Sequence, residues 1–217
     1  QQEQAAHRPL MVADAGNGKP AVRFDGNARY LHIDGQVLQS QQFTIIAVAV
    51  DAGGNAHREI FSNWNGAQGN STTSVFLGLT GPNRVRLSDD FVGGEVQEGT
   101  RPFMLSAISR DNEAVIYQNG ESLIRRASPL GPRNLSTAYV IGQQGNIQGE
   151  YWNGDIFELL VYDRGLHDQE WRKVLGYFAD KYSFSTASAS KSLSPELLAW
   201  ASLCHVLLNT NEFIYVD

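Results

Sequence analysis

Residues 149–182 read GEYWNGDIFELLVYDRGLHDQEWRKVLGYFADKY. From Asp155 the chain alternates, with Phe157, Leu159 and Val161 on one face and Ile156, Glu158, Leu160 and Tyr162 on the other. That period of two marks a strand, and both of its faces are apolar enough to be covered. A helix is expected at once, because Trp171, Val174, Leu175, Phe178 and Tyr182 recur at the spacing of a single apolar stripe. His167 and Glu170 stand where a capping residue and its reciprocal partner belong. A doubly covered strand followed by a packed helix is expected to close a sheet domain.

Working outward, the chain upstream is a series of short apolar runs. Strands are expected at 21–24, 30–33, 43–50, 58–64, 73–79, 84–88, 103–109, 114–118, 139–141 and 155–162. FTIIAVAV at 43–50 is apolar on both faces and reads as a central strand. Turn chemistry separates the runs: Gly53-Gly54-Asn55, Asn65-Gly66, Gly81-Pro82-Asn83, Gly93-Gly94 and Asn119-Gly120. Asn119-Gly120, which accepts positive φ at both central positions, predicts a tight hairpin between 114–118 and 121–125. Regular short strands of this kind predict an all-β sandwich of two antiparallel sheets over residues 1–183. The following SFSTASASKSL is small and polar, which predicts a linker over 184–193. Ser194-Pro195-Glu196 then opens a second expected helix in 194–217, with Leu197, Ala201, Cys204 and Leu208 on its stripe.

Composition narrows the function classes. The net charge of −6 over 217 residues, with Lys and Arg scattered, argues against a nucleic-acid partner. No apolar run approaches the length of a membrane span. A single cysteine, Cys204, excludes an intrachain disulfide and a cysteine-rich metal site. The five histidines are dispersed, without the spacing of a zinc motif, and neither a nucleophile elbow nor a phosphate loop occurs. The opening QQEQAAHRP looks like the interior of a larger protein, so the remainder of a parent chain is an expected partner.

Val22-Arg23-Phe24-Asp25-Gly26, then YLHI, then a terminal GDIFELLVYDRGL plus helix, resemble the laminin-G-like branch of the concanavalin A-like jelly rolls. The resemblance covers about residues 9–183, with the opening strand looking truncated. SNWNGAQGNSTTSVFLGLTG and IGQQGNIQGEYWNGDI are similar to the version found in large planctomycetal-type envelope proteins. The tail LAWASLCHVLLNTNEFIYVD resembles the closing helix of one of their uncharacterised domains. This resemblance implies a jelly roll with a packed helix, and a polysaccharide-binding or adhesive module outside the cytoplasm. It also implies one calcium ion near the first and last strands, with Asp25 and Glu158 as ligands. The residues themselves leave another reading open, in which Asp25 caps its own turn and Glu158 pairs with an arginine such as Arg164.

Jelly-roll glucanases carry their carboxylates as E-x-D-x-x-E on one strand. Here Asp155 and Glu158 are the nearest match, and strict alternation sends them to opposite faces, so no catalytic residue is expected. Sugar recognition needs aromatic faces for pyranose rings and planar polar groups for hydroxyls. Two Gly/Asn/Gln-rich loops supply both: Trp64 with Asn65, and Tyr151 and Trp152 with Gln143 and Gln144. The leading expectation is a non-catalytic glycan-binding module. Its alternatives are a structural or protein-interaction module, in which those loops only rigidify the sandwich, and a divergent polysaccharide hydrolase or lyase.

Overall fold

The computed structural model describes residues 2–64, 66, 72–145, 147–184 and 186. Two antiparallel sheets face each other. One orders seven strands as β1 (Leu10–Gly16), β2 (Lys19–Asp25), β13 (Asn153–Tyr162), β4 (Phe43–Asp51), β9 (Phe103–Ser109), β10 (Ala114–Gln118) and β11 (Glu121–Arg126). The other orders six as β3 (Leu31–Ile33), β12 (Tyr139–Ile141), β5 (Arg58–Ser62), β6 (Phe76–Leu79), β7 (Arg84–Ser88) and β8 (Phe91–Glu95). This is the all-β jelly-roll sandwich that the strand pattern predicts. The expected linker and second helix lie, apart from Phe184 and Thr186, outside the described residues.

β4 shows why FTIIAVAV is apolar on both faces. Phe43, Ile45, Ala47 and Ala49 enter the core between the sheets, while Ile46 and Val48 lie under helix α1 (Asp168–Tyr182). The helix buries Trp171, Leu175, Phe178 and Tyr182 against that outer face, each worth about 1.5–3 kcal/mol. Trp171 stacks on Tyr117 of β10 with ring centres 4.1 Å apart. At the start of α1, Glu170 accepts from the His167 backbone N–H at 3.0 Å, the expected reciprocal half of the cap. Ser183 ends the helix in the left-handed conformation, at φ 56°.

Two strands escape the sequence pattern. β1 is a mostly exposed edge strand, so it carries no alternating apolar signal. β8 contains Gly93-Gly94, which reads as a turn. In the fold Gly93 is a strand residue because β11 packs close by: a Cβ there would stand 2.8 Å from Ile124.

The closing strand departs from strict alternation. Ile156 pairs with Ala49 and Glu158 with Val48, which leaves Phe157 as a bulge. Paired residues share a face, so Ile156 joins Leu159 and Val161 toward the inter-sheet core. Phe157 joins Leu160 and Tyr162 toward the helix. Asp155 and Glu158 therefore share the outer face, contrary to the alternation argument. They are separately engaged there. Asp155 holds Arg23 through two bonds of 2.7 Å, and Glu158 accepts from the Tyr182 hydroxyl at 2.6 Å and pairs with Lys181 at 2.5 Å.

Candidate functional site

No described helix lies over the outer face of the six-stranded sheet, yet most of its strand residues are buried. Register defines two rows on it: His32, Val140, Ser62 and Phe76, then Glu59, Gly78, Arg86 and Val92. Beyond the end of β12 the chain returns beside β5, where Tyr151 makes a parallel bridge to Glu59. There the Glu59 backbone N–H donates to the Glu150 carbonyl at 2.9 Å.

Aromatic rings flank these rows. Tyr30 lies 5.1 Å from His32 and 6.4 Å from Tyr151, ring centre to ring centre. Trp64, just past β5, stands edge-on to Phe76 at 6.4 Å. Trp64, Tyr30 and Tyr151 are partly exposed, and His32 is exposed. The two loops singled out in the sequence also meet. Gly145 adopts φ +93° directly against the Trp64 backbone, where a side chain would collide.

Between the aromatics lies a charge cluster centred on Arg86. Its Nε donates to Glu59 Oε1 at 2.6 Å, one Nη reaches Asp89 at 3.2 Å, and the other pairs with Glu150. The guanidinium sits 4.7 Å above the Phe76 ring. The Glu59 side chain is fully buried, and its Oε2 has no hydrogen-bond partner. Gly78 makes room for it, since a Cβ there would strike that carboxylate and the Arg58 carbonyl.

Burial lifts the Glu59 pKa from 4.5 to about 8, outweighing the pull of Arg86; Glu150 adds to the rise. In the window between those two values the native state keeps a proton that the unfolded chain has released. Stability from this group is therefore full below pH 4.5 and is lost as pH rises toward about 8. Urea unfolding across the window should show a decline on the order of a few kcal/mol, and Glu59→Gln should flatten it. An unchanged slope in the variant would assign the proton to another group.

The fold sorts the sequence-predicted residues. Trp64 and Tyr151 come to one face. Trp152 does not: it is 0% exposed and belongs to the inter-sheet core, so no ring face is open to a sugar. Gln143 and Gln144 are buried as well, with their amides donating to the Gly145 and Gln148 carbonyls at 2.7 Å each. They shape the loop and offer no exposed amide. Asn65 lies outside the described residues.

The two calcium candidates are not brought together. Asp25 caps its own turn, accepting from the backbone of Asn27, Ala28 and Arg29 at 2.9–3.1 Å. It pairs in register with Asn153, roughly 15 Å along β13 from Glu158. Arg164 pairs with Glu170, so Glu158 takes Lys181 instead. No group of three or more His, Cys, Asp or Glu residues suited to a metal occurs among the described residues. No described helix is long and apolar enough to cross a membrane.

Sequence reasoning missed Arg86, Glu59, Glu150, Tyr30 and His32. Part of the signal was present: Arg58-Glu59-Ile60-Phe61-Ser62 and Arg84-Val85-Arg86-Leu87-Ser88 carry charges inside otherwise apolar strands. A charge so placed must face outward or find a partner.

No family model matches the chain, and no curated protein matches it. Solved structures do. The CBM40 domain of the Ruminococcus gnavus IT-sialidase, bound to α2,3-sialyllactose, matches at 16% identity and TM-score 0.53, over 71% of this chain and 95% of its own. Domain 4 of AbnA, an extracellular GH43 arabinanase of Geobacillus stearothermophilus, in complex with arabinotriose, matches at 14% and 0.57, over 75% and 78%. A heptameric SAP-like pentraxin from Limulus polyphemus matches at 17% and 0.55, over 71% and 81%. At these identities the likeness speaks for the fold alone, a concanavalin A-like jelly roll.

Proposed function

We propose that this chain is a non-catalytic carbohydrate-binding module of a larger extracytoplasmic bacterial protein. In this reading a glycan lies on the outer face of the six-stranded sheet. One observation carries it: Trp64 and Tyr151, from loops far apart in sequence, stand partly exposed on one side of the sheet, around a charge cluster whose Glu150 and Asp89 carboxylates reach solvent. Exposed rings beside planar polar groups are what a sugar's C–H face and hydroxyls require. The arabinotriose- and sialyllactose-bound relatives are non-identical sandwiches of the same kind, which supports the reading.

The carboxylates favour binding over hydrolysis. A general acid must come within hydrogen-bond reach of the leaving oxygen. Glu59, held in its acid form near neutral pH, is sealed beneath the surface with one oxygen tied to Arg86.

Trp64→Ala and Tyr151→Ala, assayed on a glycan array and then by calorimetry on the best ligand, should each weaken binding roughly tenfold, a loss of about 1.4 kcal/mol. Thermal stability should stay near that of the wild type. Binding retained by both variants would move the site elsewhere. Absence of any glycan binding would favour a structural or protein-interaction module, and release of products from a polysaccharide panel would favour an enzyme.

A further inference from the structure

The charge balance on the candidate face bears on which glycan it can take. Arg86 is surrounded by three carboxylates: Glu59, Glu150 and Asp89. Its side chain is only 5% exposed, with the guanidinium over the Phe76 ring, so it presents little surface to a ligand. The acids are differently placed. The Glu150 side chain is 26% exposed and that of Asp89 42%, so each can accept from an incoming donor. Glu59, wholly buried beneath them, adds an oxygen without a partner to the same cluster. Arg84, exposed at the start of β7, stands opposite Glu95 in register and adds no net positive charge to that end.

Resting on the carbohydrate-binding reading, we infer that this face accepts neutral or amino-bearing glycans and turns away acidic ones. The exposed carboxylates of the cluster next to Tyr151, Glu150 and Asp89, are acceptors, which suit sugar hydroxyls and the ammonium of a glucosamine unit. A uronate, sialate or sulfate would bring a like charge against Glu150 and Asp89. Arg86, the cation beside these two acids, is already engaged by Glu59, Glu150 and Asp89. The sialyllactose of the CBM40 relative carries such a carboxylate, so shared architecture and shared ligand charge part company here.

The test uses the whole chain at low ionic strength and glycans matched in length. The probes are chitosan oligomers, a panel of neutral oligosaccharides including chitin and arabinan fragments, and polygalacturonate with sialyllactose as the acidic arm. Acidic probes should bind at least about tenfold more weakly than the best neutral or amino-bearing probe, a gap that added salt narrows. Glu150→Gln combined with Asp89→Asn should shrink the gap several-fold while circular dichroism and melting confirm the fold. Acidic probes binding as tightly as the others would overturn the inference and leave the carbohydrate reading standing, as would a gap that the double variant and salt leave untouched. If no probe of any class binds, the carbohydrate reading itself falls.

Discussion

Replacing Arg86 with methionine should destabilise the protein by about 3–5 kcal/mol, because it strips buried Glu59 Oε1 of its donor and takes the counter-charge from Glu150 and Asp89 at once. In a chain of this length that corresponds to a melting temperature lowered by roughly 6–20 °C. Methionine keeps the packing on Phe76, so the loss reports on charge more than on volume. Adding Glu59→Met to Arg86→Met should restore much of the stability, since removing both members of a buried pair is far less costly than removing one. Chemical denaturation of the two variants decides the matter. A single variant as stable as the wild type would mean that Arg86 contributes nothing to holding the sheet face together.

Trp152→Ala should be comparably severe. Emptying a fully buried indole from between the sheets costs about 3–5 kcal/mol in transfer and cavity energy. Trp152→Phe should cost much less, about 1 kcal/mol, because the indole N–H that it deletes has no hydrogen-bond partner. Trp64→Ala, at a half-buried position, is the contrast: little change in melting and a large change in binding. A Trp152→Ala protein that melts like the wild type yet loses its glycan would reverse the assignment of the two tryptophans.

The architecture was legible because its signals are local. β4 is apolar on both faces since both are covered, α1 shows one stripe since it buries one, and Asn119-Gly120 turns the β10–β11 hairpin. The bulge at Phe157 was not legible. An extra residue in one strand leaves no mark on that strand's composition, yet it reverses the facing of everything before it. Counted back from Ile156 through Gly154, the inward face reaches Trp152, so strict alternation without the bulge also hid the core position of that tryptophan. At the site, Trp64 and Tyr151 stood out as aromatics in polar loops. Arg86 and Glu150 did not, because their pairing joins residues 64 positions apart and depends on which strands lie side by side. Asp25 shows the opposite difficulty: its carboxylate is spent on the turn that made it conspicuous.

The short parallel bridge between Glu59 and Tyr151 has a kinetic meaning. It makes the returning chain a continuation of the sheet, so Tyr151 stands on backbone that is already hydrogen-bonded before any ligand arrives. Under the proposed glycan-binding reading, Tyr151 mounted in this way has little ordering left to undergo on contact. Encounter is then governed by diffusion and orientation, and differences among ligands are expressed in how long each one stays.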